Sequence, residues 1–514
     1  MSPAIPSDRF ALRPYQEEAR QAIRAGFREF QRQLAVLPTG GGKTILFSAI
    51  AADRQPGRTL ILAHREELIV QAVDKLRSAT GIAAEVERGK EWASLEAPVV
   101  VGSVQTLMRE SRRHRWPWDH FSLVVVDESH HILSDSYQGI LGHFGDCAQV
   151  LGVTATPDRG DKKNLGRFFQ NIACEVSLLD LIRDGWLAPI RVKTVPLGIP
   201  LEGVRSTAGD YNAEDLGLAI DPWLERIADV LAAHRERKTL VFLPLVAVSE
   251  RFAALCRERG LPAEHIDGQS RDRREILDRF RRGQTRLLCN AMLLTEGYDE
   301  PSIDCVVCLR PTKVRSLYSQ IIGRGTRIHP GKGHLLVLDF LWQSEEHSLI
   351  RPAHLIASDE EEASRLTAAL GMDGDLEEAE REVKACRTSK LAERLRENRH
   401  RAPRILDPLE LAVSLNDARL ADYVPVMEWQ GEPASPRQLE ALRKLGIDTG
   451  SVGCKGHASL LLDRLFTRRR LKLATPRQVS FLKRLGHRDA ETLRFEDASA
   501  LLEAHFAKRA VPAA

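Results

Sequence analysis

The sequence predicts an α/β protein: two tandem doubly wound parallel-sheet domains followed by an α-helical C-terminal region. Three observations carry that prediction. Over the first 340 residues, short β-branched runs alternate with longer helical patterns. The runs are apolar throughout, as strands buried on both faces of a parallel sheet require. At 514 residues the chain is also too long to fold around a single core.

Taken in order, the first sheet is expected from QLAVLP (33–38), RTLILAH (58–64), PVVVGSVQ (98–105), SLVVVDE (122–128) and QVLGVTAT (149–156). The second is expected from TLVFLP (239–244), AEHIDG (263–268), RLLCNA (286–291), DCVVCLR (304–310) and LLVLDF (335–340). LLDLIRDGWL (178–187) reads as a helix, which puts the boundary near 188–191 and the two domains at 1–190 and 191–344. The stretch at 195–212 holds Gly, Pro and Asp with few periodic apolar residues and reads as irregular, so the second sheet is expected to start properly at Thr239.

Beyond 344 the texture changes. Acidic residues crowd 360–382 and basic ones follow from 384 to 404, which suggests an exposed, charged helical connector over 345–433. The last segment, 434–514, holds a tandem repeat. SPRQLEALRKLG (435–446) matches TPRQVSFLKRLG (475–486) at an offset of 40 residues, and Ala458, Ser459, Leu461, Leu462 and Phe466 match Ala498, Ser499, Leu501, Leu502 and Phe506. Each unit opens on a Ser or Thr cap with Pro at the first helical position and closes on Gly, so each reads as a small two-helix module. Leu439, Leu442 and Leu445 form one apolar stripe and Val479, Leu482 and Leu485 another, and the two copies are expected to bury these stripes against each other.

The bulk numbers exclude several classes. No apolar run approaches the roughly 20 residues that span a bilayer, and MSPAIPSDRF lacks the apolar core of a secretory signal, so no membrane association and a cytoplasmic location are expected. Of eight cysteines only Cys305 and Cys308 are close, and in a strand they would face opposite sides of the sheet, so no structural zinc is expected. The net charge is only +3, but 434–514 carries 16 Lys or Arg against 8 Asp or Glu. A basic tail of this kind suits either nucleic acid or a solvated helical surface.

Four stretches carry the chemistry: PTGGGKT (38–44), DESH (127–130), TATP (154–157) and QIIGRGTR (320–327). A strand running into Thr39, Gly40, Gly41, Gly42, Lys43 and Thr44 and then into an apolar helix is a phosphate cradle. Glycines let backbone N–H groups turn inward, and the helix N-terminus adds partial positive charge. Lys43 would reach the β- and γ-phosphates and the Thr44 hydroxyl would ligate Mg²⁺. The strict pattern needs a glycine where Leu37 stands, so only the shorter form is present. Asp127 and Glu128 end an apolar strand, where an acidic pair is costly unless used. Asp127 is placed to hold Mg²⁺ and Glu128 to orient and deprotonate an attacking water. Arg324 and Arg327, three apart, can face one cleft and stabilise charge on a transferring phosphoryl group, with Gln320 aligning the phosphate or the water.

In order and spacing these stretches resemble the helicases of superfamily 2, specifically bacterial DNA-repair helicases of the RadD type and, more loosely, the XPB-like and restriction-motor branch. The resemblance covers about residues 10–342 and implies that both α/β domains are RecA-like, with ATP and Mg²⁺ as cofactors. It implies that Gln16, in LRPYQ (12–16), reads the adenine edge, and that Gly297 and Asp299 relay between the ATP site and a nucleic-acid groove. AHREELIVQ (63–71), GSVQTL (102–107) and LLTEGYDEP (293–301) resemble the motifs lining that groove, with Ser103, Gln105 and Thr295 offered to phosphate oxygens. Thr154 and Thr156 would couple Glu128 to it.

TATP, LRPYQ and His130 differ from the corresponding elements of DEAD-box RNA helicases, so DNA is favoured over RNA. The expectation is an ATP-dependent DNA helicase or translocase in repair or recombination. The alternatives are an RNA helicase, or a motor subunit that docks a protein partner through 434–514, for example in an anti-phage complex. RadD-type proteins carry a cysteine-rich zinc segment after the motor; here the tandem repeat takes its place.

Overall fold

The computed structural model describes residues 12–155, 165–207, 209–343, 349–397, 408–415, 417, 420–425, 428–487 and 489–509. The chain divides into two compact units, Met1–Ala379 and Glu380–Ala514. None of the helices among the described residues is long and apolar enough to cross a membrane.

The first unit holds two seven-stranded sheets. Strands β1 (Arg32–Val36), β2 (Thr59–Ala63), β3 (Glu85–Glu87), β4 (Val99–Ser103), β5 (Leu123–Asp127), β6 (Gln149–Thr154) and β7 (Asn171–Glu175) form the first, in the order β3-β4-β2-β5-β6-β1-β7. Every pairing in it is parallel. β8 (Ile190–Pro200), β11 (Thr239–Phe242), β12 (Ala263–Ile266), β13 (Leu287–Asn290), β14 (Cys305–Cys308), β15 (Leu335–Gln343) and β16 (Asp373–Asp375) form the second, in the order β12-β13-β11-β14-β15-β8-β16. Only β16 runs antiparallel there; β9 (Ser206–Thr207) and β10 (Asp210–Tyr211) make a separate hairpin. The central strands are buried along their whole length, with apolar clusters on both faces of the first sheet, as unbroken Val and Leu runs require.

All ten expected strands form. The second sheet, however, begins at Ile190 and not at Thr239. β8 pairs in parallel with β15 from Leu335 onward, although its sequence mixes Arg, Lys, Gly and Pro with apolar residues. It was hard to read because it is covered on one side only by the three-residue β16, so it alternates between buried and exposed positions instead of running apolar. β7 has the same difficulty: it is an edge strand with no fully buried residue.

The charged segment after 344 is more packed than its composition suggests. Within the first unit, helix Glu360–Leu370 buries Ala363, Leu366 and Leu370 on one stripe while its acidic residues face outward, and β16 joins the second sheet. Within the second unit, Leu411, Ala412 and Leu420 lie in one core with Leu442, Ile447, Leu461 and Leu465.

The repeat forms two helix pairs, Pro436–Lys444 with Lys455–Arg470 and Pro476–Arg484 with Phe495–Arg509. The expected burial of one apolar stripe against the other does not occur. Leu439, Leu442 and Leu445 belong to the first core, and Val479 and Leu482 to a second one with Ala474, Ala490 and Ala498. The first stripe is instead covered by Leu411, Ala412 and Leu420, which precede the repeat.

Candidate active site

The first sheet presents its catalytic candidates at strand ends. β1 lies between β6 and β7, and the chain leaves it at Leu37 and Pro38 to turn into helix Lys43–Asp53. Gly40 and Gly42 adopt φ of 86° and 77°, which a β-carbon would disfavour, and a Cβ on Gly42 would lie 2.3 Å from Gln16 Nε2. Asp127 ends β5, paired with Val153 of β6, and so stands at the same sheet edge as the glycine turn. Glu128 follows with φ +49°, a left-handed conformation that costs energy for a non-glycine residue and turns its carboxylate back toward the loop.

Lys43 Nζ donates to Glu128 Oε1 at 2.7 Å, and His130 Nδ1 lies 3.5 Å from Glu128 Oε2. Burial pushes the Asp127 carboxyl up to about 6, reinforced by the charge on Glu128 and opposed by Lys43. In Glu128 burial acts the same way, but Lys43 and His130 outweigh it and hold the carboxyl below the usual range. One carboxylate is thus kept ionised beside a cation and the other kept easier to protonate.

The second sheet supplies the opposite wall. Helix Arg315–Gly323 delivers Arg324, which donates from Nη1 to Tyr298 O at 2.8 Å, and Arg327, whose Nε lies 3.0 Å from Asp299 Oδ1. Burial, then the charge on Arg327, lowers Arg324 to about 10, which leaves it cationic at neutral pH. A cleft of about 340 Å³ is lined by Gly40, Gly42, Lys43, Thr44, Asp127 and Glu128 from one lobe and by Gly297, Asp299, Arg324 and Arg327 from the other. The lobes interlock at this cleft: a Cβ on Gly297 would lie 2.4 Å from Glu67 Cβ, and one on Gly323 would lie 2.3 Å from Thr39 Cβ. Glu296 meets His64 and Arg65 at 3.2 Å each, and Arg273 meets Glu67 at 3.1 Å.

The residues present fit a nucleoside triphosphate. Arg327 Nη1 and Thr39 Oγ1 are buried without a hydrogen-bond partner, although Arg327 lines the cleft with charge. Gln16 rests on the glycine turn, donating to Gly41 O at 3.3 Å and accepting from Arg13 N at 3.0 Å.

Other expected residues stand elsewhere. Gln320 is buried in its helix and is absent from the cleft lining, while its carbonyl accepts from Arg324 Nε at 3.3 Å. Ser103 Oγ donates to Gln105 Oε1 at 2.8 Å, and Gln105 Nε2 donates to His64 O at 2.7 Å, so these two side chains tie β4 to β2. Thr295 is fully buried with its hydroxyl on Met292 O at 2.7 Å. Thr154 is buried at the end of β6, and its carbonyl accepts from Leu37 N at 3.0 Å. Thr156 lies outside the described residues.

Several contributors were not legible beforehand. Tyr15 Oη donates to Gly41 O at 2.9 Å, and Trp186, under the Arg13 guanidinium at 5.0 Å, lines the cleft beside the glycine turn. Tyr15 adjoins Gln16 in the sequence, whereas Trp186 falls at the end of the helix-like stretch 178–187, where nothing in the pattern marks it as cleft lining. Lys332 gave no signal at all. Its ammonium donates to the carbonyls of Arg327 at 2.8 Å, Ile303 and Gly325, and so pins the loop that carries both arginines.

Comparison with known proteins agrees with this geometry. A family model described as the type III restriction enzyme res subunit matches residues 9–159, and the helicase conserved C-terminal domain matches 223–329. The chain belongs to superfamily 2 of the helicases. The first match of this superfamily 2 chain ends just past TATP and the second just past Arg327, so every catalytic candidate lies in a matched segment.

IRC3 of Saccharomyces cerevisiae, named as an ATP-dependent helicase, is 33% identical over 413 residues, 75% of this chain and 58% of the relative. A mitochondrial ATP-dependent helicase of Schizosaccharomyces pombe is 36% identical over 65% of this chain and 58% of its own. The chain therefore spans 58% of the length of each of these two relatives. The DNA 3′-5′ translocase XPB2 of Sulfurisphaera tokodaii is 23% identical over 62% of this chain and 79% of its own. In fold, a fragment of a type I restriction enzyme HsdR subunit from Vibrio vulnificus superposes with a TM-score of 0.52 at 23% identity, covering 64% of this chain and 63% of that one.

Proposed function

We propose that this protein is a nucleic-acid-dependent ATPase that moves along, and unwinds, DNA. The observation that carries this reading is the shared cleft: Lys43, Asp127 and Glu128 from one lobe face Arg324 and Arg327 from the other. In it, Lys43 and the glycine-turn amides bind the phosphates and Glu128 holds the attacking water and takes its proton. Arg324 and Arg327 stabilise negative charge as it develops, which requires the two lobes to be together. Mg²⁺, held by the Thr44 hydroxyl and the Asp127 carboxylate, would neutralise phosphate charge. Asp299 positions Arg327, and Gln16 with Tyr15 sets the shape of the glycine turn.

DNA is favoured over RNA because the relative XPB2 is named for DNA, and because the res-subunit family matches the first lobe. Repair or recombination is the setting that suits such a motor. The test is ATP turnover across single-stranded DNA, duplex DNA and RNA at fixed salt. Stimulation of several-fold or more by DNA supports the reading, and equal or greater stimulation by RNA overturns the DNA assignment.

A further inference from the structure

The two copies of the repeat act as an internal alignment. Positions that recur 40 residues apart are those that the shared architecture or a shared task has kept. The architectural ones are visible as bonds. Ser435 and Gln438 cap one helix reciprocally, as Thr475 and Gln478 cap the other. Gln438 Nε2 donates to Ser459 Oγ at 2.9 Å, and Gln478 Nε2 donates to Ser499 Oγ at the same distance. Lys455 N donates to Glu432 O at 2.7 Å, and Phe495 N to Lys472 O at 2.8 Å. In each case donor and acceptor positions recur together, as a bond that defines a fold demands.

A second set recurs without that explanation. Arg437, Arg443, Lys444, Arg468 and Arg469 stand opposite Arg477, Lys483, Arg484, Lys508 and Arg509, five basic positions held in both copies, whereas the only shared acidic position is Asp463 with Glu503. The acids around these cations are not shared between the copies. Lys444 pairs with Glu440 at 2.8 Å, and its counterpart Arg484 donates to Ser480 Oγ at 3.4 Å from the same pair of positions, while Lys483 pairs with Glu491 at 2.9 Å. Arg443 donates to Thr449 Oγ1 at 3.1 Å, and the residue 40 positions later is Asp489. Positive charge is common to both modules, whereas Glu440, the acid that Lys444 meets, is Ser480 in the second copy.

Two of the cations in each copy also share a helix face. Arg437 and Lys444 are seven apart, which places them on one helix face about 10 Å apart along the axis, and Arg477 and Arg484 repeat that spacing. The end of the first such helix meets the start of the second: Arg477 Nη2 lies 2.9 Å from where a Cβ on Gly446 would be. The basic positions of the two copies therefore adjoin. A run of recurring cations complements a regularly spaced polyanion.

We propose that the repeat at 435–509 is a second nucleic-acid contact, separate from the motor cleft, that grips the phosphodiester backbone through the basic positions its two copies share. Such contacts position the protein on a strand without reading its sequence. The site holds whether or not the ATPase reading is correct, because it uses none of the cleft residues.

The test uses the full chain without nucleotide, binding labelled duplex and single-stranded DNA between about 50 and 200 mM salt. Arg437→Glu, Lys444→Glu, Arg477→Glu and Arg484→Glu are combined, and the same four changes to Gln serve if the charge reversal does not fold. The expected result is at least about tenfold weaker binding and a salt slope reduced by about 2 to 4, near one per lost phosphate contact, with basal ATP turnover unchanged. Unchanged affinity and slope in the folded Gln variant would overturn the proposal and leave the module as a protein-docking or purely structural element. Failure of the ATPase reading would show instead as Lys43→Ala turning over like wild type, with DNA binding by the repeat intact.

Discussion

Lys43 Nζ sits 2.7 Å from Glu128 Oε1, with side-chain exposures of 12% and 8%, so the cation meant for phosphate and the carboxylate meant for water are each other's nearest partner. A triphosphate must draw Lys43 away from Glu128, and the freed carboxylate is then able to accept a proton. Glu128→Gln should weaken that competition, so it should bind a non-hydrolysable ATP analogue several-fold more tightly while turnover falls at least about 100-fold. Titration calorimetry with the analogue checks the first part and a phosphate-release assay the second. An unaltered affinity would mean that the pair does not compete with nucleotide.

Gly297 is one of the points where the lobes approach most tightly. Its φ is +71°, and a Cβ there would lie 2.4 Å from Glu67 Cβ, so Gly297→Ala must strain the backbone and push the lobes apart. Nucleic-acid-stimulated turnover is expected to fall at least about tenfold, while nucleotide binding to the glycine turn of the first lobe changes little. Steady-state kinetics with and without DNA separates the two effects.

Lys332 offers a pH test. Burial, opposed by the charge on Asp304 and aided by that on Arg327, lowers its ammonium to about 8, and that ammonium holds the carbonyls of Gly325 and Arg327. As pH rises through about 8 the charge is lost and the arginine-bearing loop loosens, so turnover should show an alkaline decline. Because the ordinary lysine value is 10.5, the folded state binds fewer protons than the unfolded one between about 8 and 10.5, and this group alone makes stability rise with pH across that window. A falling rate would therefore not reflect unfolding caused by Lys332. Lys332→Met should lower turnover about tenfold and abolish the alkaline limb, with little change in nucleotide affinity.

The fold and the core of the site were legible where one physical demand dominates a stretch of residues. Buried parallel strands must be apolar on both faces, which exposed ten of them, and a phosphate cradle must combine glycines, Lys and Thr at a strand end. Legibility failed where demands are mixed. β8 alternates because one neighbour is only β16, and helix Glu360–Leu370 hides a three-residue apolar stripe among acids. Lys332 acts through backbone carbonyls, which have no sequence signature. The groove candidates Ser103, Gln105 and Thr295 were chosen for their hydroxyl and amide chemistry, but the fold spends that chemistry on internal bonds.

The reciprocal caps in the repeat make a local stability prediction. Ser435 and Thr475 each close a capping box with the Gln three residues on. Ser435→Ala or Thr475→Ala should cost about 1 kcal/mol. Because each module has its own apolar cluster, the loss should appear as faster amide exchange in the altered module and not in its twin. Equal loosening of both modules would contradict separate cores.

The central claim is that one ATP site is completed by arginines from the second lobe. Single-turnover ATP hydrolysis by Arg327→Ala, with and without DNA, tests it most directly. The account predicts nucleotide binding close to wild type, a rate lowered by about 10³-fold or more, and no rescue by Lys in place of Ala, since a lysine lacks the planar fork. Hydrolysis at the wild-type rate, still accelerated by DNA, would contradict it.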